Sequence, residues 1–255
     1  MNAISKNSFT ELKNGVVLAE LGGYGDGPYC AQHGAGAALV LMGTYIVDSH
    51  DKVPYPAKFV FKPDPSVYAP YLRKHVQAAR AGGAKVGVSV ISIELQHTLD
   101  FLVAAQEAGA DYASLCAHSV MAMFVRNGLG EALCERGNSK SLRRWAKAIL
   151  NAATIPVIFK IGLGDLPATI AAVDTLTEVG VPIVSINLGK TTAGSAGLKA
   201  LKQIAGHCLF LIAGGGIKDL EGARRVLEQG ADAVAIGTAA MKKPALCGDI
   251  QKHLK

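Results

Sequence analysis

The 255-residue sequence is poor in charge and in aromatic rings, with 18% charged and 6% aromatic residues. It also lacks any apolar run of the roughly 18 residues that a membrane-spanning helix needs. The longest apolar stretch, residues 35–47, is interrupted by Gly36, Gly43 and Thr44. Half of the residues are nevertheless hydrophobic, which excludes a disordered chain and is enough for a large core. We therefore expect a globular protein without a membrane span.

Paired metal-binding and disulfide motifs are missing as well. The sequence has no C-x-x-C, H-x-x-H or H-E-x-x-H motif, so we predict no metal site. The first 14 residues are polar and lack a signal-peptide pattern, which predicts free thiols in a cytoplasmic protein. The scattered cysteines are Cys30, Cys116, Cys134, Cys208 and Cys247. The histidines expected on helix surfaces are His33, His75, His97 and His253.

A block of like charge is also absent, although the formal net charge is +6 and the pI is near 9.0. Lysine and arginine are spread over the predicted helices and the C-terminal residues rather than concentrated in one segment. This distribution favours ordinary solvated helix faces. A surface that binds a polyanion is the alternative interpretation.

Short apolar runs alternate with amphipathic segments along the whole chain. The runs are continuous rather than alternating in polarity, which is typical of parallel strands buried on both faces. Glycine ends several of the helices, at Gly109, Gly180 and Gly230. The predicted strands are 16–21, 37–43, 85–91, 111–116, 155–161, 182–187, 208–213 and 233–237. The predicted helices are 26–33, 65–81, 94–108, 139–153, 166–179, 195–205, 220–229 and 240–255.

Eight such strand–helix units predict a (β/α)8 TIM barrel that forms a single domain over residues 1–255. A doubly wound sheet is the alternative, but it places its glycine-rich loop after the first strand, whereas here the glycines come last. Two long connections, 44–64 and 117–138, are predicted to form walls of a site at the carboxyl ends of the strands. The proline-rich stretch 51–65 is predicted to form a small hairpin.

The last two predicted strands both end in small residues. Gly214, Gly215 and Gly216 follow one strand, and Gly237 and Thr238 follow the next. Glycine in a strand costs about 0.5–1 kcal/mol relative to alanine, so a compensating role is expected. In (β/α)8 barrels the loops after the last two strands commonly bind phosphate through backbone N–H groups. Tight turns alone are the alternative explanation.

Several stretches resemble the FMN-binding barrels related to dihydroorotate dehydrogenase and dihydrouridine synthase. The segment "IAGGGIKDLEGARRVLEQGADAVAIGTA" resembles their C-terminal signature, and "IPVIFKIGLG" resembles their fifth strand. "VLAELGGYGDGPYCAQHGAGAALVLMG" and "AGADYASLCAHS" resemble their first two strands and their fourth strand. The similarity is greatest to the short, archaeal-type barrel proteins distantly related to dihydrouridine synthase. The extra C-terminal helical domain of the synthases has no counterpart in this sequence.

The resemblance implies FMN as cofactor and assigns roles to individual residues. Lys160 would contact the flavin near N1 and O2; an unpaired lysine in so apolar a strand would be costly to bury. Asn187 would contact the flavin or the substrate, with a simple strand-end cap as the alternative. Glu20 stands where the family has an apolar residue beside the flavin, and Ser89 stands where the family has a glutamine that contacts the flavin. The implied cofactor-binding residues are Gly22, Ser89, Lys160, Asn187, Gly214, Gly215, Gly216, Gly237 and Thr238.

The catalytic proton carrier is assigned to the fourth strand. Cys116 aligns with an asparagine of the family, and His118 lies near the position of its loop cysteine. Histidine is better suited to proton transfer at neutral pH. Cys116 is alternatively a small core residue. The predicted catalytic set is therefore Lys160, His118 and Cys116.

These residues predict an FMN-dependent oxidoreductase that transfers a hydride to or from an unsaturated, heterocyclic small molecule. One alternative is a flavin-independent lyase, isomerase or synthase in which Glu20, Lys160 and Asn187 act as acid–base or Schiff-base groups. Another is a non-catalytic protein that binds phosphate or flavin. As partners we expect a small-molecule substrate and further copies of the chain. tRNA is a less favoured partner, because the domain that grips RNA in the synthases is not present in this sequence.

Overall fold

The computed structural model describes residues 9–49, 53–189 and 195–254. Eight parallel strands form a closed barrel in which β1 pairs with both β2 and β9. One further short strand, β3, pairs with β2 and is not part of the closed ring. The strands are β1 (Gly15–Leu18), β2 (Leu39–Val47), β3 (Val60–Phe61), β4 (Lys85–Ile91), β5 (Tyr112–Ala117), β6 (Val157–Gly162), β7 (Ile183–Asn187), β8 (Phe210–Gly214) and β9 (Ala233–Ile236). The fold is a (β/α)8 TIM barrel, as predicted.

Helices separate the strands of the barrel. Those of the described residues are α1 (Gly27–His33), α2 (Pro65–Arg80), α3 (Leu95–Glu107), α4 (Ala122–Val125), α5 (Ser139–Ala152), α6 (Leu166–Val179), α7 (Ser195–Ile204), α8 (Leu220–Glu228), α9 (Thr238–Lys242) and α10 (Leu246–Gln251). Aspartate side chains at Asp26, Asp64, Asp165 and Asp219 cap four of these helices by accepting a hydrogen bond from the first turn. None of the described helices is long and apolar enough to cross a membrane.

Three local predictions differ from the structure. The predicted C-terminal helix 240–255 is two helices, α9 and α10, because Pro244 between them cannot continue a helix; Lys255 lies outside the described residues. Strand β2 extends to Val47, since residues 44–47 remain buried against β4. His33 is buried rather than at the surface, and its Nδ1 lies 2.9 Å from the carbonyl oxygen of Ala240.

The hairpin predicted for residues 51–65 is wrong. Residues 51 and 52 lie outside the described residues, and the rest forms a 3-10 helix, Ala57–Phe59, followed by β3. Strand β3 runs parallel to β2, with Val60 opposite Ile46. Pro54 and Pro56 have no N–H to donate to an antiparallel partner, which explains why this segment does not pair with itself.

The interior of the barrel is filled with apolar side chains at its amino-terminal end. Phe210 and Ile212 of β8 pack with inward residues of the other strands, and Phe9 meets the ring of Phe210 edge-on at 5.7 Å. The first described segment thus closes this end of the barrel. The opposite end, where the strands terminate in polar residues and glycines, is the end that stays open.

We expect Phe210→Ala to lower the free energy of unfolding by about 3–5 kcal/mol, because it leaves a cavity in the barrel interior. Chemical denaturation followed by circular dichroism measures the change. Val67→Ala, on an exposed position of α2, is the matched control and should shift stability by less than about 0.5 kcal/mol. A cost below about 1 kcal/mol at Phe210 would contradict this description of the core.

Candidate active site at the barrel mouth

A cavity of about 760 Å³ opens at the carboxyl ends of the barrel strands. Its volume lies within the range of about 300–1,000 Å³ that is typical of small-molecule sites. Both long connections contribute to its wall, as predicted: Tyr55 comes from the first, and His118 to Met121 from the second. Apolar side chains and backbone form most of the remaining wall. The polar side chains that line it are Glu20, Thr44, Tyr55, Cys116, His118, Ser119, Lys160, Ser185, Asn187, Lys218 and Thr238.

A buried ion pair forms the floor of this cavity. The Nζ atom of Lys160, on β6, lies 2.9 Å from Oε2 of Glu20, which follows β1. The two side chains are only 9% and 1% exposed. Charges this deeply buried are costly unless they are paired, so each one depends on the other. Glu20 thus supplies the partner that a buried Lys160 requires.

Two hydroxyl groups lie behind the ion pair. Ser89 on β4 donates to Oε1 of Glu20 at 3.4 Å, and its Oγ lies 3.4 Å from Oγ1 of Thr44. Ser89 is fully buried and is not part of the cavity wall, whereas Thr44 is. Ser89 therefore contacts Glu20, which lines the cavity, but does not line the cavity itself. Its direct contact with a cofactor stays a prediction.

Cys116 and His118 form a second polar pair on the wall. The Sγ atom of Cys116 lies 3.2 Å from Nδ1 of His118, and Cys116 is the register partner of Lys160. Burial, together with the charge of Lys160, lowers the pKa of His118 to about 4. Burial and the charge of Glu20 raise the pKa of the Cys116 thiol. Both side chains are therefore uncharged at neutral pH.

The loop after β8 exposes backbone toward the cavity. A Cβ atom at Gly214 would lie 2.6 Å from the carbonyl oxygen of Ala235, so only glycine fits there. Gly215 and Gly216 have φ angles of 110° and 70°, which disfavour other residues. Within the described ranges, the N–H groups of Gly215, Gly216 and Gly237 donate no hydrogen bond to another group of the chain. These donors are therefore available to a ligand.

Thr238 is the first residue of α9 and lines the cavity beside Gly237, so its hydroxyl lies at the same edge as the glycines. Lys218, two residues after Gly216, adds a positive charge there. Glycine N–H groups, a helix start, a hydroxyl and an ammonium group are the donors that proteins use for phosphate. The sequence analysis missed Lys218; its place two residues after the last of the three glycines was the available signal.

Asn187 and Gly22 line the cavity between these features. The Oδ1 atom of Asn187 accepts a hydrogen bond from the N–H of Gly189 at 3.0 Å, so part of its side chain is used as a strand-end cap. A Cβ atom at Gly22 would lie 2.1 Å from the hydroxyl oxygen of Tyr55. Tyr55 donates in turn to the carbonyl oxygen of Thr44 at 3.0 Å. Gly22 thus makes room for Tyr55, a wall residue that the sequence motifs did not single out.

The predicted residues take four places in the structure. Lys160, Cys116 and His118 meet on one side of the cavity, and the glycines with Thr238 meet on another. Asn187 and Gly22 also line it, while Ser89 lies beneath it. No cluster of side chains that could hold a metal ion occurs among the described residues.

Comparisons with known proteins match part of the chain by sequence and nearly all of it by fold. The family model described as "histidine biosynthesis protein" matches residues 183–255. Geranylgeranylglyceryl phosphate synthase of Methanopyrus kandleri is 32% identical over 78 residues, which are 31% of this chain and 33% of that protein. The aligned segment therefore spans about a third of the relative's length.

The crystal structure of DHODH from Eimeria tenella, in complex with ferulenol, superposes with a TM-score of 0.67. The superposition covers 94% of this chain and 80% of that one, at 16% sequence identity. At this identity the likeness concerns the fold. Fold and comparisons together define a (β/α)8 barrel protein, and the family match includes β8, β9 and the glycines that follow them.

The low pKa of His118 makes stability depend on pH. Between pH 6.5 and about pH 4 the unfolded chain binds a proton at this histidine and the folded protein does not. The free energy of unfolding should therefore fall as the pH falls through this interval, by up to about 3 kcal/mol from this residue. We expect His118→Gln to lose less stability than the unsubstituted protein between pH 7 and pH 4.5 in urea denaturation. Equal losses in both proteins would show that His118 is not held neutral.

Proposed function

We propose that this protein is an FMN-dependent oxidoreductase acting on an unsaturated, heterocyclic small molecule. The observation that carries the proposal is the continuity of one cavity, which reaches from the free N–H groups of the glycine loop to the ammonium group of Lys160. A ligand with a phosphate at one end and a polar ring at the other suits both ends of such a cavity.

The phosphate end is supported by its donors. Gly215, Gly216 and Gly237 offer backbone N–H groups, Thr238 offers a hydroxyl, and Lys218 offers a positive charge. Glycine at these positions lets an anion approach the backbone closely. These residues would hold the phosphate of FMN.

The ring end is supported by Lys160 and by the apolar wall around it. Bound FMN would supply the hydride-transfer chemistry that amino-acid side chains cannot provide. The ammonium group of Lys160 forms an ion pair with Glu20 at 2.9 Å, and its N–H groups would donate to a ring oxygen or nitrogen of the ligand. Apolar residues of the cavity wall, such as Ile46 and Ile91, would exclude water from a bound ring.

A proton carrier is available beside Lys160. The Cys116 thiol is protonated at neutral pH and can donate to Nδ1 of His118, which leaves the proton of the neutral imidazole on Nε2. His118 would then present an N–H group to the substrate, and Cys116 would hold the imidazole in this tautomer. We propose that Nε2 of His118 gives its proton to the substrate while Nδ1 takes the proton of the Cys116 thiol, so that the imidazole stays neutral and the negative charge is left on Cys116.

A second candidate is a flavin-independent synthase that acts on a phosphorylated substrate. The local similarity to geranylgeranylglyceryl phosphate synthase favours it. The phosphate end would serve in the same way, and the Glu20–Lys160 pair would act directly on the substrate. The small-molecule substrate is common to both candidates.

Titration with FMN distinguishes the two candidates. We expect the protein to quench FMN fluorescence and to shift its visible absorption, whereas a flavin-independent synthase would do neither. Gly216→Ala should weaken FMN binding at least about tenfold, because the added Cβ strains the loop that faces the phosphate. Gly83→Ala is the matched control: Gly83 has a similar φ of 83° in a turn whose residues are not part of the cavity wall.

The expected order is therefore tight binding in the unsubstituted protein and in Gly83→Ala, and weak binding in Gly216→Ala. Failure of the unsubstituted protein to bind FMN would overturn the flavin proposal. Equal binding by all three proteins would mean that the phosphate lies elsewhere.

A further inference from the structure

The charges on the cavity wall are distributed unevenly. Among the described residues that line it, the formally charged ones are Glu20, Lys160 and Lys218. Glu20 and Lys160 lie against each other at 2.9 Å, so their charges cancel at the floor. Lys218 follows the glycine loop and forms no ion pair with another described residue. The cavity is thus neutral at its floor and positive at its glycine end.

We propose that Glu20 is a specificity-determining residue, which cancels the charge of Lys160 so that the cavity floor accepts an uncharged ring. The proposal rests on the function proposed above. It assigns the uncharged ring of the ligand to the floor of the cavity and the anionic group to the glycine end. The anionic group of the ligand is directed to the glycine end, where the only uncompensated charge of the described wall lies. A lone Lys160 would instead attract an anion to the floor.

The position of Glu20 supports a role beyond stabilising the barrel. Its side chain is 1% exposed yet belongs to the cavity wall, so a ligand at the floor would lie close to it. Ser89 holds Oε1 from behind, which fixes the carboxylate against Lys160. A pair of apolar residues would stabilise the same place at lower cost, so stability alone does not account for a buried ion pair.

The test uses FMN as the probe and the reduction potential as the readout. The bound ring gains negative charge on reduction, so its potential reports the net charge beneath it. Four proteins form a charge series at the floor: Glu20→Gln carries one positive charge, the unsubstituted protein and the Glu20→Gln/Lys160→Gln double variant carry none, and Lys160→Gln carries one negative charge. All substitutions replace a charged group by a neutral amide of similar size.

We expect the potential to be most positive in Glu20→Gln, intermediate and similar in the two neutral proteins, and most negative in Lys160→Gln. Similar potentials in all four proteins, with FMN bound, would overturn this inference and leave the proposed function intact. If none of the proteins binds FMN, the proposed function fails and this inference fails with it. If Glu20→Gln does not fold, the difference between Lys160→Gln and the double variant decides in the same way.

Discussion

The site depends on one interaction, the ion pair between Glu20 and Lys160. Both groups are buried at the point where the strands of the barrel end, and either charge would be costly there without the other. The pair joins β1 to β6 across the barrel mouth, so it fixes the floor on which every other polar group is arranged. Cys116 lies in register with Lys160, and Ser89 holds Glu20 from behind. Removing either partner would therefore disturb both the fold and the site.

Around this floor the barrel separates two environments. At the amino-terminal end, side chains such as Phe210 pack the interior with apolar groups. At the carboxyl end, the glycines that end and follow β8 have no side chains to fill the interior, so their backbone lines the open cavity. The same parallel sheet thus supplies stability at one end and free N–H donors at the other. This division explains why the glycines are tolerated: the apolar half of the barrel stabilises the fold independently of them.

The sequence was sufficient to predict the barrel. Its continuous apolar runs indicate strands buried on both faces, and the glycines that follow the amphipathic segments mark the ends of the helices between them. It was also sufficient to place Lys160 and the glycine ends on one cavity, because carboxyl ends of parallel strands meet at the same edge. The partner of Lys160 could not be predicted, because Glu20 is 140 residues away and only the closed ring brings β1 to face β6. Tyr55 and Lys218 were missed for a related reason: loop side chains follow no periodicity, and their direction is set by packing. The hairpin over 51–65 was wrong because Pro54 and Pro56 have no N–H to donate to an antiparallel partner, and the strand that does form, β3, pairs in parallel with β2.

A double-mutant cycle between Glu20 and Lys160 tests the central claim most directly. The free energy of unfolding is measured for Glu20→Gln, for Lys160→Gln, for the double variant and for the unsubstituted protein. Each single substitution leaves a buried charge unpaired, whereas the double variant leaves none. The account predicts a coupling free energy of at least about 2 kcal/mol, with the double variant more stable than either single variant. A coupling near zero, with additive losses, would show that the two charges do not depend on each other and would contradict the account.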